Sequence, residues 1–236
     1  MTSFMAEPPA SERRFPGVFI VVEGIDGSGS TTHTKLLGKA LRQRGLKVLE
    51  TCEPSAGPIG ALIRQVLQRR LFVPDATGPR AFAWSTMALL FAADRMDHLD
   101  STIVPALREG LVVLSDRYDL SSLAYQSVTA PSGEQVVPWI RELNAAALRP
   151  DLTVVINVPV EVAEQRRRSR GGMEEMFESR ELQTRLCAVY RQAEALVPSD
   201  RVEHVSGEGA ASDVAASILQ RVLALDPAFF AERASS

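Results

Sequence analysis

Short, nearly continuous apolar runs alternate along this chain with longer stretches in which apolar residues recur every three or four positions. The runs "VFIVVE" (18–23), "LKVLET" (46–51), "LVVLS" (111–115), "LTVVIN" (152–157) and "RVEHVS" (201–206) predict β-strands. The first, third and fourth carry almost no polar residue, as expected of parallel strands covered on both faces. Between them, helical periodicity spans 32–44, 59–70, 80–99, 136–147, 160–168, 178–196 and 210–224. Gly45 stands where a helix commonly stops. The alternation predicts an α/β fold, a doubly wound parallel sheet of about five strands, with ligands at the carboxyl ends of the strands. No internal repeat or linker marks a second domain. Residues 17–225 read as one domain, 1–16 as a flexible leader, and 226–236 as a C-terminal tail that frays at "AERASS".

Composition narrows this picture only slightly. At 236 residues, 45% apolar and 23% charged, the chain can bury a sizeable core without staples. A net charge of −3 gives no argument for nucleic-acid or membrane-surface partners. Cys52 and Cys187 have no metal-binding or redox spacing and read as reduced thiols of a cytoplasmic protein. The apolar run "AFAWSTMALLFAA" (81–93) is too short to span a bilayer and is broken by Ser85 and Thr86, so a core helix is expected. The N-terminus has no hydrophobic segment of signal-peptide type.

The first strand runs straight into "GIDGSGSTT", Gly24 to Thr32. Gly24, Gly27 and Gly29 let the backbone wrap around an anion, with the N–H groups of Ile25, Asp26, Ser28 and their neighbours turned inward. A helix starting near Thr31 adds its positive end. Against the phosphate-loop pattern G-x-x-x-x-G-K-S/T, Gly24, Gly29 and Thr31 match, and Ser30 stands in place of lysine. Thr31 is the candidate hydroxyl ligand for Mg²⁺, and Asp116 of "SDRY", after the third strand, is the candidate carboxylate facing the loop.

With "EGIDGSG", "CEP", "FAADR" and "DRYDLSSLAYQ" in this order, the chain resembles the thymidylate kinases from about Gly17 to Leu225. The resemblance implies a P-loop nucleoside monophosphate kinase that moves the γ-phosphoryl of ATP onto dTMP with Mg²⁺. On spacing alone, Phe91 and Arg95 share a helix face, which fits a core aromatic beside an arginine paired with Asp94 or Asp97 better than a base-recognising pair. The resemblance implies the base-recognising pair: Phe91 stacks on thymine and Arg95 bonds its edge. It further implies that Arg117 clamps the acceptor phosphate, with Ser122, Tyr125 and Gln126 lining base and sugar. Asp26 faces the substrate side near the 3′-hydroxyl. Glu53 and Pro54 form the loop after the second strand, and Arg64 points toward the acceptor phosphate. Cys52 and Met176 stand where the family carries arginine.

The segment "EQRRRSRGGMEEMFES" (164–179) reads as an arginine-dense helix end, a glycine break and a resumed helix, the pattern of a mobile lid at about 166–178. By resemblance Arg166 and Arg170 are its catalytic cations, beside Asp26 and Arg117, while others of the run face solvent. Attack by an already anionic phosphate needs positioning and charge rather than a general base. Ser30 therefore removes one cation among several; Lys35, one turn on, is a candidate substitute. The resemblance also implies a homodimer packed through helices on one side, including the one that carries Phe91.

Overall fold

The computed structural model describes residues 14–76, 78–170 and 176–234. Five parallel strands form one sheet in the order β2-β3-β1-β4-β5. They are β1 (Val18–Glu23), β2 (Val48–Cys52), β3 (Val112–Asp116), β4 (Leu152–Asn157) and β5 (Val202–Ser206). Period-two alternation divides β1 between two cores. Val18, Ile20 and Val22 face a layer with Leu37, Leu41, Ile218 and Val222, while Phe19 and Val21 face Leu99, Ile103 and Leu107. Burial on both faces is why β1 reads as an unbroken apolar run.

The helices are α1 (Ser30–Arg42), α2 (Pro58–Leu67), α3 (Trp84–His98), α4 (Val104–Arg108), α5 (Asp119–Thr129), α6 (Val137–Leu143), α7 (Val160–Arg170), α8 (Arg180–Tyr190), α9 (Ala193–Leu196), α10 (Ala211–Leu225) and α11 (Pro227–Ala234). A π-helical turn at Leu99–Ile103 joins α3 to α4. Behind α1, Gly45 takes φ 84° and its N–H closes onto Arg42 O at 3.0 Å, the stop expected there. Among the described residues no single helix is long and apolar enough to cross a membrane.

Several boundaries differ from expectation. The helix predicted over 80–99 begins at Trp84, because a bridge between Val73 and Arg80 holds the preceding chain extended. The pattern at 178–196 divides into α8 and α9, and Ser179 caps α8 by accepting from Leu182 N. The largest correction concerns 226–236. Instead of a fraying tail, Pro227–Ala234 form α11, whose Phe229 and Phe230 are buried edge to face at 5.0 Å in the main core. The leader falls mostly outside the described residues, although Phe15 packs partly against the Leu99 cluster.

Candidate active site

The phosphate loop forms because its glycines take conformations closed to other residues. Gly27 has φ 89°, and a Cβ there would lie 2.4 Å from Ala163 O; Gly24 has φ 153°, and a Cβ would meet Ser28 Oγ at 2.6 Å. Gly29 caps α1 without a side-chain hydrogen bond, and the first turn of α1 carries no acidic residue. The N-terminal amides and the dipole of α1 are thus left to an anion. Ser30 opens α1, buried, with its carbonyl accepting from Thr34 Oγ1 at 2.9 Å.

The register of the sheet brings the end of β3 alongside the loop: Val22 pairs with Asp116. Thr31 Oγ1 donates to Asp116 Oδ2, while Asp116 Oδ1 is buried with no hydrogen-bond partner among the described residues. A hydroxyl and an unsatisfied carboxylate oxygen, both hard donors, suit a Mg²⁺ ion, which takes one or two protein oxygens and keeps the rest for phosphate and water.

Beside the loop lies a cavity of about 140 Å³ lined by Asp26, Glu53, Pro54, Leu67, Phe91, Arg95, Arg117, Tyr118, Ser121, Ser122, Tyr125, Gln126, Phe177 and Glu178. Arg95 is fully buried: Nη2 donates to Glu53 Oε2 (2.7 Å) and Ser122 Oγ (3.0 Å), Nη1 donates to Asn144, and the guanidinium lies over the Tyr118 ring. Burial opposes its charge, yet Glu53 and then Asp119 outweigh that and raise its pKa above the ordinary value. Asp94 is not its partner; it accepts from Ser55 N and Oγ at 2.7 and 2.6 Å, and so ties α3 to the loop after β2. Gln126 Oε1 is buried without a partner among the described residues, an acceptor awaiting a donor.

At the end of the cavity next to the loop, Arg117 Nη2 donates to Asp26 Oδ1 at 2.6 Å. Asp26 Oδ2 accepts from Tyr125 OH (2.9 Å) and Gln183 Nε2 (2.7 Å), and Gln183 Nε2 also donates to Phe177 O at 2.7 Å. Phe177 stands edge-on to Tyr125 with ring centroids 5.4 Å apart. Arg117 itself has φ 74°, a left-handed conformation costly for a residue with a Cβ. Behind it, the buried carboxylate of Glu23 ends β1. Oε1 accepts from Tyr118 N (2.8 Å) and Ser121 N (3.2 Å); Oε2 accepts from Ser121 Oγ (2.6 Å) and Tyr190 OH (3.0 Å). Burial pushes the Glu23 pKa up to about 7, against the pull of Arg117.

The expected residues thus gather on two sides of one site, with one displaced and one outside view. Arg64 does not line the cavity; its Nη1 donates to Pro54 O (2.9 Å) and Ser55 O (2.5 Å), supporting the Glu53–Pro54 loop from α2. Residues 171–175 of the lid, and the side chain of Arg170, lie outside the described residues. Arg166 donates to Ser28 O (3.1 Å) and Gly207 O (2.8 Å), and Arg167 donates to Asp26 O, so both cap carbonyls of the phosphate loop and of the turn after β5. Arg168 pairs with Glu164 on the solvent side, and Lys35 is exposed on α1. Met176 packs on the Ile63–Val66–Met87 cluster and donates its N–H to Leu67 O at 3.1 Å. Glu23, Ser121, Gln183 and Tyr190 were not legible as site residues. Only the charge ending the β1 run hinted at Glu23.

A phosphate loop with a second anion clamp held in reach of it, across a base-sized cavity, is the layout of a P-loop nucleoside monophosphate kinase, an ATP-dependent phosphotransferase. Within that class, the thymidylate kinase family profile matches residues 22–205, and the chain belongs to that family. It is 37% identical over 211 residues to a probable thymidylate kinase of Pyrococcus abyssi, covering 89% of this chain and 99% of the relative. A probable thymidylate kinase of Caldivirga maquilingensis is 43% identical over 160 residues, 66% of this chain and 71% of its own. The thymidylate kinase of Pelobacter propionicus is 36% identical over 213 residues, 88% and 94%.

Proposed function

We infer that the protein is a thymidylate kinase: it transfers the γ-phosphoryl of ATP to dTMP and releases dTDP and ADP. The observation that carries this reading is the cavity, which sets an aromatic face (Phe91), a buried guanidinium (Arg95) and an unpaired acceptor (Gln126 Oε1) around a base, with Arg117 at its phosphate end. Thymine offers carbonyl acceptors for the guanidinium and an N–H for the orphan amide oxygen. Tyr125 and Asp26, joined at 2.9 Å, close the sugar side.

Arg117 holds the acceptor phosphate in line with the γ-phosphoryl, and the phosphate is itself the nucleophile, so no side chain takes a proton. Thr31 and Asp116 would hold Mg²⁺, which supplies charge neutralisation at the transferring phosphoryl. Arg166, close over Gly29 with Nη1 3.9 Å from where a Cβ would sit, stands near the position that Ser30 leaves without an ammonium. Arg166 is the cation read here as acting on the transferring group, with Arg170 as the second lid candidate.

The same proposal includes a homodimer through α2 and α3, whose Leu62 and Leu89 leave large apolar side chains exposed at 40% and 51%. It also places the enzyme in the cytoplasm, where ATP and dTMP are supplied. A coupled assay of ADP formation with dTMP, dUMP, dCMP and dGMP tests the reaction. The highest kcat/KM is expected for dTMP. A tenfold preference for another monophosphate would reassign the acceptor, and no turnover with any of them would overturn the kinase.

A further inference from the structure

We propose that Glu23 is a positioning residue for the acceptor phosphate, acting through Arg117. The inference rests on the reading of Arg117 as the phosphate clamp. Arg117 cannot hold its left-handed backbone by preference, since its Cβ makes φ 74° unfavourable. Its amide donates to Val22 O at 2.9 Å and its carbonyl accepts from Ser115 Oγ at 2.7 Å, and the turn that follows is held as well. Helix α5 starts directly after this turn, and its N-cap, Tyr118, makes no side-chain cap of its own. Glu23 supplies the cap from a neighbouring strand: its Oε1 accepts from Ser121 N, the amide that a serine or aspartate at the N-cap would ordinarily satisfy, and from Tyr118 N, the N-cap residue's own amide. The turn that displays Arg117 is therefore fastened to the end of β1, one residue before the phosphate loop begins.

The second carboxylate oxygen sets the polarity of the guanidinium's own contacts. Ser121 Oγ and Tyr190 OH donate to Glu23 Oε2 at 2.6 and 3.0 Å. The same two oxygens receive Arg117 Nη1, at 3.1 and 3.4 Å, and lie 2.9 Å from each other. A carboxylate only accepts, so it draws hydroxyl protons toward itself and leaves lone pairs for Arg117. Glu23 thus fixes both the backbone that aims Arg117 and the hydroxyls that orient its guanidinium. Through Glu23 the clamp is tied to the strand end that leads into the phosphate loop.

Glu23→Gln separates this role from a merely structural one. The amide keeps an acceptor for the two N–H groups and so keeps the cap, but it places a donor where Oε2 was and reverses the hydroxyls. At pH 8, with the monophosphate that the wild type phosphorylates, the acceptor KM should rise about tenfold, the loss expected of a weakened hydrogen bond to a charged group. The KM for ATP should stay within twofold. In an Arg117→Ala background the same change should alter the acceptor KM less than twofold. A folded Glu23→Gln enzyme with an unchanged acceptor KM, an equal rise for ATP, or an undiminished effect without Arg117 would each overturn the proposal. If Glu23→Gln does not fold, Ser121→Ala, which spares both N–H groups and cuts the hydroxyl link, carries the same expectations. If the wild type phosphorylates no monophosphate, the reaction assignment falls separately, and the comparison is made on the Kd of inorganic phosphate.

Discussion

At the acceptor end of the site, Arg95 pairs with Glu53 and Arg117 with Asp26, and both guanidiniums also donate to serine hydroxyls of α5. At the donor end, Ser30 brings no charge to the loop, and Arg166 and Arg167 donate to the loop's own carbonyls. Ser28 Oγ, His33 Nδ1 and Asp116 Oδ1 are buried there without partners among the described residues, and burial, then Arg166, lowers the His33 pKa. The contrast teaches where each end should show itself. On the proposed function, the preorganised acceptor cavity should govern binding of the monophosphate, and the donor loop, whose nearby cations would have to turn from carbonyl to phosphate, should govern the chemical step.

Arg166→Ala is the hardest blow to that contrast. Arginines that stabilise phosphoryl transfer are worth roughly 10³–10⁵ in rate, and a fall in kcat of at least about 10³ is expected, with both KM values little changed. Steady-state kinetics with ATP and dTMP varied separately checks this; retention of most of kcat would leave the donor end without its cation. Phe91→Ala probes the other end. Stacking of a base on an aromatic ring is worth roughly 1–3 kcal/mol, so the KM for dTMP should rise about tenfold while that for ATP holds. An equal fall in ATP affinity would make Phe91, which also touches the Ile63 cluster, a packing residue.

The smallest effect is expected of Ser30→Lys. An ammonium beside the triphosphate in a partly desolvated loop should lower the KM for ATP a few-fold, roughly 1 kcal/mol, without loss of kcat. A folded lysine variant that loses activity would mean that Arg166 already fills the space and that the loop has been rebuilt around serine.

The sheet and the phosphate loop were legible because their signals are local: unbroken apolar runs for strands buried on both faces, and glycines where only glycine fits. The cavity lining from 117–126 was legible through a motif in which neighbours in sequence stay neighbours in space. What escaped is assembled across the chain. Glu23 meets partners at 118, 121 and 190, and Gln183 reaches Asp26 from α8. No periodicity announces such contacts. Helix α11 escaped for another reason: eight residues are too few to establish a helical period, and its two phenylalanines matter only once a core exists to receive them.

That last helix has a practical consequence. Arg233 on α11 donates through Nη2 to Pro16 O at 3.3 Å, so the first and last turns of the described fold lie side by side. Chain ends that meet can be joined and the chain opened elsewhere. A circular permutant with 16 linked to 233 by a short glycine-serine segment, and new termini cut near Gly78 in the exposed loop before α3, would retain the β2-β3-β1-β4-β5 sheet and leave every strand contact intact. Deletion from Pro227 onward would instead strip two aromatic rings from the core.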